Sequence, residues 1–296
     1  MTTGRSETIG GGTDATSRPF TARSVIASTL LGVESSELPV AQLVTMVGLF
    51  GINANRARVA LSRMVAAGEV VTDGNGRYRL VGRLLERQER QRESLAGRTR
   101  AWDGTWSMVV VTSTGRAADE RAALRRELVL ARLAEVREGV WIRPANLDVR
   151  PGPTAADGGS GADSGGDGGR SRGLATFSSV PDGDPVQLAA GLWDLGGWAE
   201  RARVLLARME DEPTERPDDL AASFDTSASV LRLCQADPLL PAELLPADWP
   251  GGTLRQRYAG WDRRYRRLLH TWGGIGARSG DERPPASRGD PEGRAQ

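Results

Sequence analysis

A helical pattern over residues 53–68, followed at once by a hairpin signal, constrains the fold of this chain more than any other feature. Apolar residues recur there at helical spacing and should face a core. They are Ala57, Ala60, Leu61, Met64 and Val65. Asn53 is a suitable N-cap, and Gly68 ends the pattern. The sequence Asp73-Gly74-Asn75-Gly76 is typical of a turn, so the residues on either side of it should pair as strands.

Two more helical patterns precede this unit. Their apolar residues are Val25, Ile26, Leu30 and Val33 in the first, and Val40, Leu43, Val44 and Val47 in the second. Three helices and a hairpin in this order are typical of a winged helix-turn-helix, here predicted over residues 20–81. In that fold the N-terminal part of the third helix reaches base edges in the major groove of DNA.

The outward face of the third helix carries the predicted contacts with DNA. With the N-cap Asn53, these residues are Asn55, Arg56, Val59, Ser62 and Arg63. Arg56 and Arg63 are the main candidates, because a guanidinium group can donate two hydrogen bonds to one guanine. Arg58 lies to the side of this face, where it could contact a phosphate or brace the domain.

Positive charge is concentrated around this helix and the wing. Residues 53–100 contain eleven arginines and five acidic residues, whereas residues 1–52 contain three arginines and four acidic residues. In the wing, Arg77 and Arg79 alternate with Tyr78 and so share one face, either as phosphate contacts or as a solvated strand edge. The distribution suits a phosphate-binding surface, although the net charge of the whole chain is only +1.

The rest of the composition excludes several kinds of site. One cysteine, Cys234, and one histidine, His270, cannot form a disulfide framework, a cysteine zinc site or a histidine-rich metal site within one chain. No third catalytic group accompanies them, so we expect Cys234 to be a core residue. We expect no cofactor. Without a membrane-length apolar run or a signal peptide, the protein is expected to be cytoplasmic.

Composition also divides the chain into segments. Residues 1–19 and 274–296 are predicted to be disordered tails, because they are polar or rich in Gly and Pro. Residues 82–100 are predicted to be a polar connector helix, which is either solvated or in contact with phosphate.

The segment 101–186 is predicted to be an α+β domain of the ferredoxin-like type. Its predicted elements are a strand over 106–111, a helix over 117–131, and strands over 140–143 and 174–177. Residues 151–173 consist almost wholly of Gly, Asp, Ser and Pro, and are predicted to be a flexible loop.

The segment 187–273 is predicted to be all-helical. It contains two apolar stripes at helical spacing, namely Trp198, Ala202, Leu205 and Met209, and then Leu254, Tyr258, Trp261, Tyr265, Leu268 and Trp272. The intervening residues Asp237 to Gly251 include four prolines, which predict an extended and rigid connection.

Together these pieces resemble the PaaX family of transcriptional regulators, named for the repressor of phenylacetic acid degradation. The matching residues are Phe50-Gly51-Ile52 leading into Arg58 to Met64, Trp102 to Trp106, Gly139 to Pro144, and Asp237 to Gly251. Their shared order over residues 20–272 is specific. The resemblance implies a winged-helix domain, a ferredoxin-like domain and a C-terminal helical domain. It also implies a homodimeric repressor of catabolic genes on a double-stranded DNA operator.

Some members of that family respond to an aryl-coenzyme A thioester. Arg263, Arg266 and Arg267 on the last predicted helix are candidate effector contacts, because arginine suits the phosphates of coenzyme A. The alternative is that they form the solvated face of a helix whose aromatic stripe lies in the core.

Two other function classes remain open. The middle domain of the family looks like small CRISPR-associated ferredoxin-like nucleases, which hold a metal ion with an aspartate after the first strand. This chain has Thr112 there, which departs from the pattern and counts against a metal-dependent nuclease. The second alternative is a ligand-independent DNA-binding or interaction module, whose binding would depend on salt but not on sequence.

Overall fold

The computed structural model describes residues 20–33, 35–148, 173–211 and 219–273. The two predicted disordered tails, 1–19 and 274–296, lie wholly outside these residues, and the predicted loop 151–173 does so except for Gly173. The side chains of His270 and Trp272 are also outside the description.

The N-terminal part has the helices and the sheet that a winged helix-turn-helix requires. Its elements are α1 (Ala22–Gly32), β1 (Glu37–Pro39), α2 (Val40–Gly48), α3 (Ala54–Ala66), β2 (Val70–Thr72) and β3 (Arg77–Leu80). The antiparallel sheet has the order β1-β3-β2. The sequence did not predict β1, because three residues that include Pro39 are too short to show an alternating pattern.

Of the five α3 residues predicted to face the core, three are buried, Ala60 is partly buried against the same core, and one is exposed. Ala57, Leu61 and Met64 are buried in the core of the N-terminal part, as predicted. The prediction for Val65 was wrong, since this side chain is 38% exposed. Helical geometry explains the difference, because Val65 lies at the margin of the buried face, beside Arg58.

The connector is a helix, α4 (Gly82–Ala96), and one side of it is buried against the winged-helix part. The buried Gln88 side chain donates hydrogen bonds to the carbonyl oxygens of Leu31 (2.9 Å) and Val33 (3.1 Å). It therefore caps the C-terminal end of α1, whose last carbonyls have no partner within the helix. This contact attaches α4 to the winged-helix part.

The middle part has the strand order of the ferredoxin-like fold. Its elements are β4 (Trp106–Val111), α5 (Ala118–Leu130), β5 (Ala134–Arg137), β6 (Val140–Pro144) and β7 (Leu174–Ser179). The sheet order is β5-β6-β4-β7, and each neighbouring pair is antiparallel. The sequence did not predict β5, which is a four-residue edge strand held by its hairpin with β6.

The C-terminal part is helical, as predicted. Its elements are α6 (Pro185–Leu192), α7 (Leu195–Asp211), α8 (Leu220–Gln235), a short 3-10 helix (Ala242–Leu244) and α9 (Gly251–Gly273). The predicted stripe on α7 and the stripe on α9 from Leu254 to Leu268 are buried against each other and α8. Cys234 is fully buried in the same core, which confirms that prediction.

A cluster of three phenylalanines joins the winged-helix part to the C-terminal part. Phe20 precedes α1, Phe50 follows α2, and Phe224 belongs to α8. Each pair of rings packs edge to face, with centroids 5.1–5.2 Å apart. Such pairs stabilise a contact by about 0.5–1.5 kcal/mol beyond the burial of apolar area.

A buried polar junction joins the connector, the middle part and the C-terminal part. Asp237, at the start of the proline-rich connection, is 1% exposed and forms an ion pair with Arg255 of α9 at 2.8 Å. Arg255 also donates to the carbonyl oxygen of Ser94 in α4 at 2.9 Å. Arg132 of the middle part donates to the Ser94 hydroxyl (2.9 Å) and to the carbonyl oxygen of Asp237.

A second arginine of the middle part extends the junction. Arg143 of β6 is fully buried and donates to the side-chain oxygen of Asn146 at 3.0 Å and to the carbonyl oxygen of Leu239 at 3.4 Å. Burial, and to a smaller extent repulsion from Arg132, lowers the pKa of Arg143 to about 9. The Asp237 carboxylate therefore lies in a junction that contains the three buried or half-buried arginines Arg132, Arg143 and Arg255.

Removal of the Asp237 carboxylate should destabilise the whole chain. We expect Asp237→Ala to lower the free energy of unfolding by about 3–5 kcal/mol, because it leaves buried arginines without their counter-ion. Asp248→Ala is the matched control, since Asp248 pairs with Arg203 in the same connection but is solvated. That change should cost at most about 1 kcal/mol. Urea unfolding of both variants would measure the difference, and equal losses would contradict this role for Asp237.

Candidate DNA interface and interdomain cavity

A tight turn and a side-chain cap position the start of α3. Gly51 has a φ of 72°, a conformation that glycine adopts without strain, and it turns the chain between α2 and α3. The side-chain oxygen of Asn53 then accepts a hydrogen bond from the backbone N–H of Arg56 at 2.9 Å. Asn53 is thus the N-cap, as predicted, and its side chain is engaged with the helix.

The predicted contact residues of α3 are all at the surface. Asn55, Arg56, Arg58, Val59, Ser62 and Arg63 are exposed. The guanidinium groups of Arg56, Arg58 and Arg63 have no ion-pair partner among the residues that the structure describes. Three unpaired cations on one exposed helix leave their hydrogen-bond donors available to an anionic partner.

The two arginines of the wing differ in their surroundings. Asp73 closes the turn by accepting hydrogen bonds from the backbone N–H groups of Asn75 (2.8 Å) and Arg77 (3.0 Å), which lower the pKa of its carboxyl group. The Arg77 side chain is paired with Glu37 of β1. Arg79 is exposed and has no ion-pair partner within the described part of the chain.

A large cavity lies between the winged-helix part, α4 and the C-terminal helices. Its volume is about 1240 Å³, which is larger than that of a typical small-molecule pocket. Its walls come from α1 and β1 on one side, from α4 on a second side, and from α8 and α9 on the third. No sequence pattern indicated this cavity, because its walls belong to segments far apart in the chain.

The structure separates the three predicted effector arginines. Arg266 lies on the cavity wall, where it donates to Asp262 at 2.6 Å and to the carbonyl oxygen of Gly32 at the end of α1. Arg263 and Arg267 are exposed on α9 and do not line the cavity. Only one of the three is therefore placed at this cavity.

The position considered for nuclease chemistry has no metal-ligating cluster around it among the described residues. Thr112 is exposed at the end of β4, and no cluster of three metal-ligating side chains occurs among the described residues. Burial raises the pKa of the Cys234 thiol to about 11. The structure describes no membrane-length apolar helix in residues 20–273, its gaps excepted.

Comparison with known families decides the relationship. The profile described as PaaX-like protein matches residues 21–87, the PaaX protein central Cas2-like domain matches residues 99–153, and the PaaX-like protein C-terminal domain matches residues 193–273. The chain belongs to the PaaX family. This confirms the resemblance that its motifs indicated, and the order of the three matched segments is that of the three structural parts.

A solved structure supports the same relationship. The uncharacterized protein Rv0674 from Mycobacterium tuberculosis is 40% identical, with a TM-score of 0.65, over 85% of this chain and 98% of that one. A comparison with curated proteins gave no match. Members of the PaaX family are transcriptional regulators linked to phenylacetate catabolism and are not enzymes.

Proposed function

We propose that this PaaX-family protein is a sequence-specific DNA-binding repressor of catabolic genes that acts as a homodimer. An aryl- or acyl-coenzyme A thioester would release it from its operator. The observation that carries the proposal is the exposed surface of α3, where Arg56, Arg58 and Arg63 have no ion-pair partner among the described residues. Membership of a family of transcriptional regulators supports the same function.

The chemistry of α3 suits the reading of base edges. Arg56 and Arg63 lie seven residues apart, about two helical turns, and so share one face of the helix with Val59. An arginine can donate two parallel hydrogen bonds to guanine, and one such pair contributes about 1–3 kcal/mol of discrimination. Asn55 and Ser62 would add contacts on the same face.

A homodimer would place two copies of α3 in successive major grooves. Two-fold symmetry then requires an inverted-repeat operator, with half-sites about 10 base pairs or a multiple apart. Exposed apolar side chains of the middle part, namely Val129, Leu130 and Val136, offer a surface on which two protomers could associate.

The effector class comes from the family. An aryl-coenzyme A thioester releases a repressor from DNA only if it binds the DNA-free conformation of the protein more tightly than the DNA-bound conformation. Coenzyme A is rich in phosphate, and an arginine-lined surface suits such a ligand.

Fluorescence anisotropy of the purified protein on its upstream DNA would test the reading of sequence by α3. We expect Arg56→Ala and Arg63→Ala each to weaken specific binding by about 1–3 kcal/mol, with a smaller effect on random DNA. Arg126→Ala is the matched control, because Arg126 is an exposed arginine of α5. Equal effects of all three changes would contradict the proposal. Titration to saturation should give two chains per duplex.

The wing makes a separate prediction about salt dependence. Arg79→Ala should reduce the slope of log affinity against log salt concentration by about one, as expected for the loss of one phosphate contact. The double variant Glu37→Gln with Arg77→Ala removes the ion pair at constant net charge, and should leave the slope unchanged. The opposite result would mean that Arg77, rather than Arg79, contacts phosphate.

A further inference from the structure

The turn between α2 and α3 sets where the proposed recognition helix begins. The backbone N–H of Gly51 donates to the carbonyl oxygen of Gly48 at 2.9 Å, and that of Ile52 donates to the carbonyl oxygen of Val47 at 3.3 Å. The N-cap Asn53 follows directly, so the turn ends where α3 starts. A displacement of this turn therefore displaces the first residues of α3.

Phe50, in the middle of this turn, is shared between two hydrophobic cores. Its side chain is partly buried and packs against the core of the winged-helix part and against the core of the C-terminal part. Its neighbour Leu49 does the same, whereas Ile52 packs against the winged-helix core. The C-terminal part thus contacts the turn through Leu49 and Phe50.

Phe224 of α8 forms the C-terminal side of this contact. It is 9% exposed, and its ring lies edge to face with that of Phe50, with the centroids 5.2 Å apart and the planes at 71°. Phe20 packs edge to face against both rings. This packing depends on ring orientation, because the positive edge of one ring lies against the negative face of another. Each ring is therefore oriented by the other two.

The segment of α8 around Phe224 is itself well anchored. Ser223 and Thr226, which flank it in the sequence, are both fully buried. Asp225 forms an ion pair with Arg208 of α7 at 3.0 Å. Because the backbone at Phe224 is held on both sides, its ring is a fixed support for Phe50.

The reading of base edges depends more on the position of α3 than attraction to phosphate does. Two hydrogen bonds from Arg56 or Arg63 to one guanine both require short distances and near-linear geometry. Attraction to phosphate acts through the charge of long, flexible side chains and carries no sequence information. A small displacement of α3 should therefore weaken specific binding more than non-specific binding.

We propose that Phe224 is a positioning residue for DNA recognition. From the C-terminal part it holds Phe50, and through Phe50 it holds the α2–α3 turn. The helix α3 then begins where Arg56 and Arg63 can reach base edges. The role of Phe224 in recognition rests on the proposed function, whereas its support of the turn does not.

Hydrogen exchange of the full chain without DNA tests the support of the turn. The reporters are the backbone N–H groups of Ile52 and Ala57, of which the second donates to the carbonyl oxygen of Asn53 at 3.2 Å. Phe224→Leu keeps an apolar side chain and loses the ring, so the variant should fold. Both amides should exchange about tenfold faster in it, because the turn opens locally more often.

Met209→Ala is the matched control for this experiment. Met209 is 5% exposed in the same C-terminal core, on α7, and is not part of the aromatic contact. The change removes more buried volume than Phe224→Leu does. It should nevertheless leave exchange at Ile52 and Ala57 unchanged.

Fluorescence anisotropy on upstream and random DNA tests the role in recognition. Phe224→Leu should weaken binding to upstream DNA about tenfold, which is within the range for loss of one arginine–guanine pair, and should weaken binding to random DNA less than about twofold. Phe50→Leu should have the same effect. The double variant should lose no more than Phe50→Leu alone, because Phe224 acts through Phe50. Met209→Ala should leave both affinities unchanged.

The two experiments separate this proposal from the proposed function. Exchange at Ile52 and Ala57 that Phe224→Leu leaves unchanged would overturn the proposal, as would equal effects of Phe224→Leu and Met209→Ala. Additive losses in the double variant, or an unchanged affinity of Phe224→Leu for DNA that the unaltered protein binds specifically, would overturn the role in recognition. Faster exchange in a protein that does not prefer upstream DNA would support the support of the turn and contradict only the proposed function.

Discussion

The buried carboxylate of Asp237 is the interaction on which the arrangement of the three parts depends. It pairs with Arg255 of α9, and its backbone carbonyl accepts from Arg132 of the middle part. Ser94 of α4 joins the same group through both its hydroxyl and its carbonyl oxygen. Buried charges need such partners, because an ion that is removed from water without one is strongly destabilising. The four segments therefore have little freedom to separate.

This junction gives the connector helix its role. One end of α4 is held at Ser94, and its middle caps α1 through Gln88. Two contacts along α4 thus fix the position of the winged-helix part relative to the C-terminal helices, one at Gln88 and one at Ser94. The interdomain cavity lies along the same helix, between these attachments and α9. A ligand there would act on the contacts that orient α3, which is the element proposed to read DNA.

The sequence predicted those features that depend on local periodicity. The buried stripe of α3, the turn of the wing and the aromatic stripe of α9 all follow from the spacing of apolar and turn residues. The strands β1 and β5 were missed, because each is short and lies at the edge of its sheet. Val65 was misplaced, because it lies at the margin of the helix face, where spacing does not decide burial.

The cavity could not be predicted for a different reason. Gln88 and Gln91 look like solvated residues of a polar helix, and only the packing of α1, α8 and α9 against α4 buries them. Likewise, Arg263, Arg266 and Arg267 are equivalent in the sequence, and only the tertiary structure separates Arg266 from the other two. Sites built from segments far apart in the chain depend on tertiary contacts that no local pattern contains.

The most direct test of the account is a gel shift of the purified protein on its own upstream DNA, at fixed salt, with and without phenylacetyl-coenzyme A. The account predicts a complex that resists competition by random DNA and is released by the thioester. A complex that random DNA displaces as readily as the upstream sequence would contradict the assignment of α3 as a reader of sequence.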